Sequence, residues 1–302
     1  VAGPVLVLAN PTAGRGRTGR RIGRIDRQLR EAGIEHHVVL SESAADLTER
    51  AASAARDGIP IVAALGGDGS VGLVANGLVG TDTALAVLPS GTADDFAAGI
   101  GVGTIDRAVR ALAAGVRERI DAVSVRTEDA ERVMVNVAGC GFDSEVNEAA
   151  NAMRFDLGAT GTYVAAVLKT LPRFDPAVFT ITIDDDVIEG PHMLVVVGNA
   201  TRYGGGMRVT PDASLIDGVV DVCLLRALST GAFLRAFPSV FRGAHVRHPA
   251  VSMRRGRRVR VEADRRVLIY ADGERVGPAP VTFEVVPRAL DVIVGANPPA
   301  IR

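Results

Sequence analysis

Four short apolar runs pace the first third of the chain: PVLVLAN at 4–10, EHHVVL at 35–40, IPIVAAL at 59–65 and TALAVL at 83–88. Helical periodicity fills the intervals at 17–31, 44–56 and 70–78, and follows the fourth run at 93–98 and 105–114. Strands that are apolar throughout, each followed by a helix, specify a parallel sheet covered on both faces. In such sheets ligands collect at the carboxyl ends of the strands. The glycine-rich segments of this chain fall there.

From about residue 119 the rhythm changes. RIDAVSVR, RVMVNVAG, AVFTITIDDDVIEG, HMLVVVGNA, GVVDVCLLRA, RRVRVEADRRVLIYADGERV and VTFEVVPRALDVIVG read as strands joined by turn residues, with helical interludes near 143–154, 159–171 and 230–241. Consecutive strands with close turns predict an antiparallel β-sandwich or barrel-like second domain. The expected division is an α/β domain over 1–122, to which a tail at 288–302 returns, and a β-rich domain over 123–287.

Composition removes several function classes. A formal net charge of −1 over 302 residues gives no global field toward nucleic acid or an anionic membrane. Lys169 is the sole lysine and has no glycine loop before it. A Walker A loop requires GK[ST] and a protein kinase requires a strand lysine, so both are excluded. Cys140 and Cys223 form no CxxC pair. They are expected as buried free thiols, which fits a reducing cytoplasm. The opening VAGPVLVLANP is expected as a first strand rather than a signal peptide, and no run reaches the roughly 18 apolar residues of a membrane span.

GRGRTG at 14–19 satisfies the GxGxxG pattern of dinucleotide folds, with Glu42 available as a ribose acid. Asn10-Pro11-Thr12-Ala13 intervene between strand and first glycine, which the fingerprint does not allow. The stretch AALGGDGSVGLVANGL at 63–78 is more specific. Its glycines bring backbone N–H groups close to a ligand, and the helix that follows aims its positive end at the same place. Asp68 suits a cation, a water or a hydroxyl about to lose its proton, or else a helix cap. LPSGTADDFAAGI at 88–100 repeats the strand–glycine–helix arrangement and adds the Thr92 hydroxyl.

Taken in order, NPTAGRGR, GGDGSVGLVANGL, LPSGTADDFA, NVAGCGFDSEV, YGGGMRVTPDASLIDG, YADGE and PRAL resemble the bacterial diacylglycerol kinase and sphingosine kinase-like lipid kinase family over nearly the whole chain. The GGDG element alone is shared with NAD kinases and phosphofructokinase-like enzymes; the later motifs are particular to the lipid kinases. The resemblance implies an N-terminal three-layer, NAD kinase-like domain and a C-terminal β-sandwich. It also implies transfer of the γ-phosphate of ATP, with Mg²⁺, to the hydroxyl of a neutral lipid such as diacylglycerol or to a long-chain base.

Carried onto this chain, the resemblance places ATP against Asn10, Pro11, Thr12, Ala13, Gly14, Ser41, Gly66, Gly67, Asp68, Gly69, Ser70 and Thr92. Asp68 and Asp121 would organise the Mg²⁺–ATP and its waters, and Glu274 would take the proton of the lipid hydroxyl. A second, structural Mg²⁺ would sit on Asp217 with the carbonyls of Ser214 and Val219. The implied protein is cytoplasmic, with transient membrane-surface contact and a homodimer left open, and with no nucleic-acid partner.

Departures from the family pattern are few. Ile216 replaces an aspartate beside Asp217, leaving fewer acids for the structural metal. Asp94 stands where asparagine is usual, exchanging an amide donor for an acceptor-only carboxylate. Ser41 and Ser70 replace threonine and keep the hydroxyl. HVRH at 245–248 lacks a third metal ligand, and the arginine-rich 254–266 reads as an exposed strand face able to touch anionic headgroups. Phe233, Phe237, Val240 and Phe241 form a helical stripe that either faces the core or meets lipid. Three rivals stay open at this point: a soluble-metabolite kinase of NAD kinase type, a nicotinamide-dependent dehydrogenase, and a non-catalytic binding relative.

Overall fold

The computed structural model describes residues 3–11, 13–153 and 158–301. The chain forms two compact units. One is Val1–Ala122 with Leu215–Asp217 and Val286–Arg302; the other is Val123–Ser214 with Gly218–Val285.

The first unit alternates β1 (Val5–Ala9), α1 (Ala13–Glu31), β2 (His36–Leu40), α2 (Ala44–Arg56), β3 (Ile61–Gly66), α3 (Asp68–Leu78) and β4 (Ala84–Pro89), then α4 (Asp95–Gly99) and α5 (Ile105–Ala114). The strands pair in parallel in the order β2–β1–β3–β4, with Val5 opposite both His36 and Ile61, and Ile61 opposite Ala84. Every residue of β3 and β4 is buried, as strands covered on both faces require. Leu8, Leu29, Leu47, Leu65, Leu88 and Phe96 fill the core at under 2 % exposure. Ser43 and Thr104 cap α2 and α5 by accepting the amides of Asp46 and Arg107.

α1 begins at Ala13, so GRGRTG lies inside the helix and not in a strand-to-helix loop. Its second turn is anchored by Thr18, whose Oγ1 lies 2.6 Å from Ser90 Oγ in a buried pair. The dinucleotide fingerprint therefore lacks its geometry here.

β5 (Arg117–Arg126) leads into the second unit, which contains β6 (Glu131–Met134), β7 (Val137–Gly141), α6 (Phe142–Asn151), α7 (Gly158–Thr170), β8 (Ala177–Ile183), β9 (Asp186–Gly198), β10 (Val220–Arg226), α8 (Thr230–Ala236), β11 (Val251–Gly256), β12 (Arg258–Ala263), β13 (Leu268–Ala271), β14 (Glu274–Pro278) and the first half of β15 (Val281–Ile293). Its pairing is antiparallel throughout, in the order β14–β13–β7–β9–β8–β12–β15, with β10 between β9 and β11. β8 alternates buried and exposed positions, and its inward residues Phe179, Ile181 and Ile183 join Val259, Val261 and Phe283 in the main core.

Two sequence expectations change. AVFTITIDDDVIEG is a hairpin, turning at Asp184 with φ 51°. The helix expected over 230–241 stops at Ala236 and tightens into a 3₁₀ turn over Phe237–Arg242, because Pro238 has no N–H to continue the ladder. Both cysteines are buried and unbridged, as expected. No helix among the described residues is long and apolar enough to cross a membrane.

Candidate active site

In the first unit the strand ends are stitched into one edge. The Ser41 amide donates to Ala9 O at 2.9 Å, Asn10 N to Leu65 O at 3.3 Å, and Ser90 N to Gly66 O at 2.9 Å. Asn10, Ser41, Gly66–Ser70 and Gly91–Thr92 are thereby gathered at the carboxyl ends of β1 to β4, where α/β sheets bind ligands. Thr12 lies outside the described residues. Ala13 and Gly14 open α1.

Two loops of this edge touch backbone to backbone. A Cβ placed on Gly91 would lie 2.5 Å from Gly67 Cα and 2.7 Å from Asp94 Oδ1. Only glycine permits that approach. The contact is locked by Asp68, whose carboxylate reaches across to α4 and accepts Asp95 N at 3.1 Å and Phe96 N at 2.9 Å. Asp68 thus caps the neighbouring helix, a partner 27 residues away that no local pattern announces. Burial raises its carboxyl above the ordinary range, opposed by these amide hydrogen bonds. With both oxygens engaged, Asp68 braces the two glycine loops.

Asp94 has φ 55°, a left-handed conformation that aspartate and asparagine tolerate better than other side chains. Its Oδ1 accepts Gly91 N at 3.0 Å, a bond that an asparagine carbonyl oxygen makes equally well. The departure at this position is therefore conservative. Asp94→Asn is expected to move Tm by less than about 2 °C, the size of a sub-kcal/mol change in a chain of this length; a thermal melt checks it.

Asp121 is 1 % exposed; its Oδ1 accepts Arg288 N at 2.8 Å and its N–H donates to Leu215 O at 2.6 Å. Arg288 carries φ 52° inside the PRAL motif, so Asp121 holds a strained residue in place. Of the structural-metal set, Ser214 is buried and Asp217 exposed. Among the described residues no group of three or more His, Cys, Asp or Glu gathers for a metal. One carboxylate with backbone carbonyls is a hard-oxygen donor set of the kind Mg²⁺ accepts, at low charge.

In the second unit Asp272-Gly273 forms the two-residue turn between β13 and β14, with φ 51° and 81°. Sequence reading missed the part Asp272 plays. Its buried carboxylate accepts Val135 N at 2.8 Å, Asn136 N at 2.9 Å and Val137 N at 3.2 Å. The turn is fixed to the NVAG segment, and Glu274, next in the chain, stands exposed beyond it. The Asp-Gly pair in YADGE was the available signal.

HVRH forms no paired site. His245 is buried in a 3₁₀ turn, its Nε2 3.0 Å from Val209 O, while His248 Nδ1 accepts Ala250 N at 3.2 Å. Burial lowers the His245 pKa. The unfolded chain takes up a proton near 6.5 that the folded chain refuses, so His245 costs stability as the pH falls below that value. Melting curves between about pH 7.5 and pH 5 should show this loss, smaller in His245→Gln.

The comparisons with known proteins decide the family. Residues 4–125 match the family profile described as the diacylglycerol kinase catalytic domain, and residues 136–294 match the YegS C-terminal NAD kinase beta sandwich-like domain. A protein of Mycobacterium tuberculosis named diacylglycerol kinase is 34% identical over 295 residues, covering 96% of this chain and 95% of its own. The chain belongs to the bacterial diacylglycerol kinase-like family of lipid kinases. The Bacillus subtilis diacylglycerol kinase is 28% identical over 95% of each chain. A solved structure of a diacylglycerol kinase from Bacillus anthracis superposes with a TM-score of 0.74 at 21% identity, over 99% of this chain and 98% of that one, and shows the same fold. Membership makes the protein a phosphotransferase and implies a nucleotide donor and a lipid acceptor.

Proposed function

We propose that the protein transfers the γ-phosphoryl group of ATP, in the presence of Mg²⁺, to the hydroxyl of a neutral lipid of the diacylglycerol type. The observation that carries this is the pair of glycine loops at Gly66–Ser70 and Gly91–Thr92, pressed together and braced by Asp68. Backbone amides there bind phosphate oxygens without a lysine, which this chain lacks at any loop. Phosphoryl transfer needs positioning and charge neutralisation more than covalent help.

In the proposed reaction the acceptor oxygen bonds to the γ-phosphorus as the bond from that phosphorus to the β–γ bridging oxygen breaks, releasing ADP. The acceptor proton passes to the Glu274 carboxylate. Asn10 to Gly14, Ser41 and Thr92 line the nucleotide, and Asp68 and Asp121 hold the loops that meet it. Mg²⁺, when bound, offsets the negative charge of the β- and γ-phosphates. Asp217 and the Ser214 and Val219 carbonyls would hold a structural ion.

Labelled ATP, Mg²⁺, dioctanoylglycerol micelles and NAD supplied in one tube test the reading. Label is expected in the lipid. Label in NADP with none in lipid would make the protein an NAD kinase-type enzyme instead.

A further inference from the structure

In the second unit, α6 and the loop between β12 and β13 enclose a cavity of about 450 Å³. That volume is in the range of small-molecule sites. Glu145 and Glu148 line it from α6, three residues apart and so on one side of the helix. Arg265 and Arg266 line it from the loop, and Phe174 and Leu268 add carbon to the wall.

Both charged segments are pinned. Ser144 Oγ, one residue before Glu145, donates to Leu268 O at 2.5 Å and ties α6 to the start of β13. Asp264, one residue before Arg265, accepts Val178 N at 3.1 Å and donates its own N–H to Val178 O at 3.0 Å. The loop is thereby fixed to β8. Arg265 is partly engaged: its Nη1 donates to Asp175 Oδ2 at 2.7 Å and its Nη2 to the Asp175 backbone oxygen. Glu145, Glu148 and Arg266 are not. Their side chains make no hydrogen bond or ion pair among the described residues. Burial raises the Glu145 carboxyl and the charge of Arg265 opposes the shift, so acid and base sense each other across the cavity without closing into a pair.

An acyl chain is excluded by four charged side chains. The glutamates repel a simple anion, and the arginines repel a simple cation or a divalent metal. A guest satisfies both groups when it carries both charges. An ammonium offers its protons to the two carboxylates, and a phosphate accepts from Arg266 and from the N–H groups that Arg265 has not spent on Asp175. Phosphate oxygens match the planar fork of a guanidinium.

We propose that this cavity binds a small zwitterion bearing an ammonium and a phosphate a short chain apart, with Glu145 and Glu148 holding the ammonium and Arg265 and Arg266 the phosphate. The site shares no residue with the nucleotide edge or with Glu274, and it does not depend on the lipid-kinase reading. Because α6 and the β12–β13 loop are each held by their own contacts, little ordering is needed when the guest enters. A free phosphoammonium compound and the headgroup of a zwitterionic phospholipid present the same pair of charges, and the test separates the two.

Calorimetric titration of the full chain with O-phosphoethanolamine tests the site. Its Kd is expected to lie about fivefold or more below those of ethanolamine and inorganic phosphate, which carry one charge type each. Phosphocholine, whose quaternary nitrogen has no N–H to donate, should fall with them. Glu148→Gln and Arg266→Gln alter exposed side chains, and each should weaken binding about fivefold or more while leaving the thermal melt in place. Short-chain phosphatidylethanolamine in detergent micelles is titrated alongside. Binding tighter than that of the free compound, lost in both variants, supports the site and assigns its ligand to a lipid. Equal or weaker binding, again lost in both, supports the site and assigns a soluble ligand. Inorganic phosphate binding as tightly as phosphoethanolamine overturns the zwitterion assignment. Binding that survives both substitutions, or no binding by any probe, overturns the site.

Discussion

Glu274→Gln should lower turnover by roughly 10²- to 10⁴-fold, the usual value of a positioned general base, with ATP affinity changed by less than about twofold. The reason lies in how the carboxylate is held. The Asp272 turn is fixed by the three buried amides of Val135, Asn136 and Val137, so an isosteric change at the exposed next residue leaves the turn intact. Glutamine keeps the shape and cannot accept a proton. Lipid phosphorylation rates read beside nucleotide titration calorimetry separate the two effects. Undiminished turnover would move the proton acceptor to another residue.

Gly91→Ala should raise the apparent KM for ATP by tenfold or more and lower stability by about 1–3 kcal/mol, the cost of overpacking a tight contact. The added Cβ lies 2.5 Å from Gly67 Cα, and neither backbone has a flexible side chain to yield. The loops must separate, straining the Asp68 bonds to α4 and displacing the amides proposed to meet phosphate. A displacement near 1 Å in positioning groups costs on the order of 10²-fold in rate. Gly23→Ala is the contrasting change. Gly23 is an exposed helical glycine with nothing within 4 Å of an added Cβ, and alanine there should stabilise by up to about 1 kcal/mol. Equal behaviour of the two variants in melts and ATP kinetics would contradict the role given to the Gly67–Gly91 contact.

Much of the fold is legible in local patterns. The apolar runs at 59–65 and 83–88 are near-continuous because β3 and β4 are covered on both faces, and strand–helix alternation states the parallel pairing directly. The glycine loops sit at strand ends, where the strand–helix alternation placed them. What sequence spacing conceals is partnership at long range. Asp68 is the first residue of its own helix, and its side chain caps another helix, accepting an amide 27 residues on. Asp94 reads as a troubling loss of an amide, yet only its acceptor oxygen is used toward Gly91. Asp143, Tyr163 and Tyr203 are spread over 60 residues and meet only because β7, α6, α7 and the segment after β9 pack together. The end of α8 was written in Pro238, whose effect the Phe233–Phe241 stripe masked.

The most direct test of the central claim is transfer of labelled γ-phosphate from ATP, with Mg²⁺, into a total lipid extract, with products resolved by mass and Asp68→Asn run alongside. The expected result is one labelled lipid class bearing a new phosphate ester on an alcohol oxygen, strongly reduced in the variant. Label found only in water-soluble metabolites, or equally in both proteins, would contradict the assignment of a lipid acceptor or of the braced glycine loops as the phosphate site.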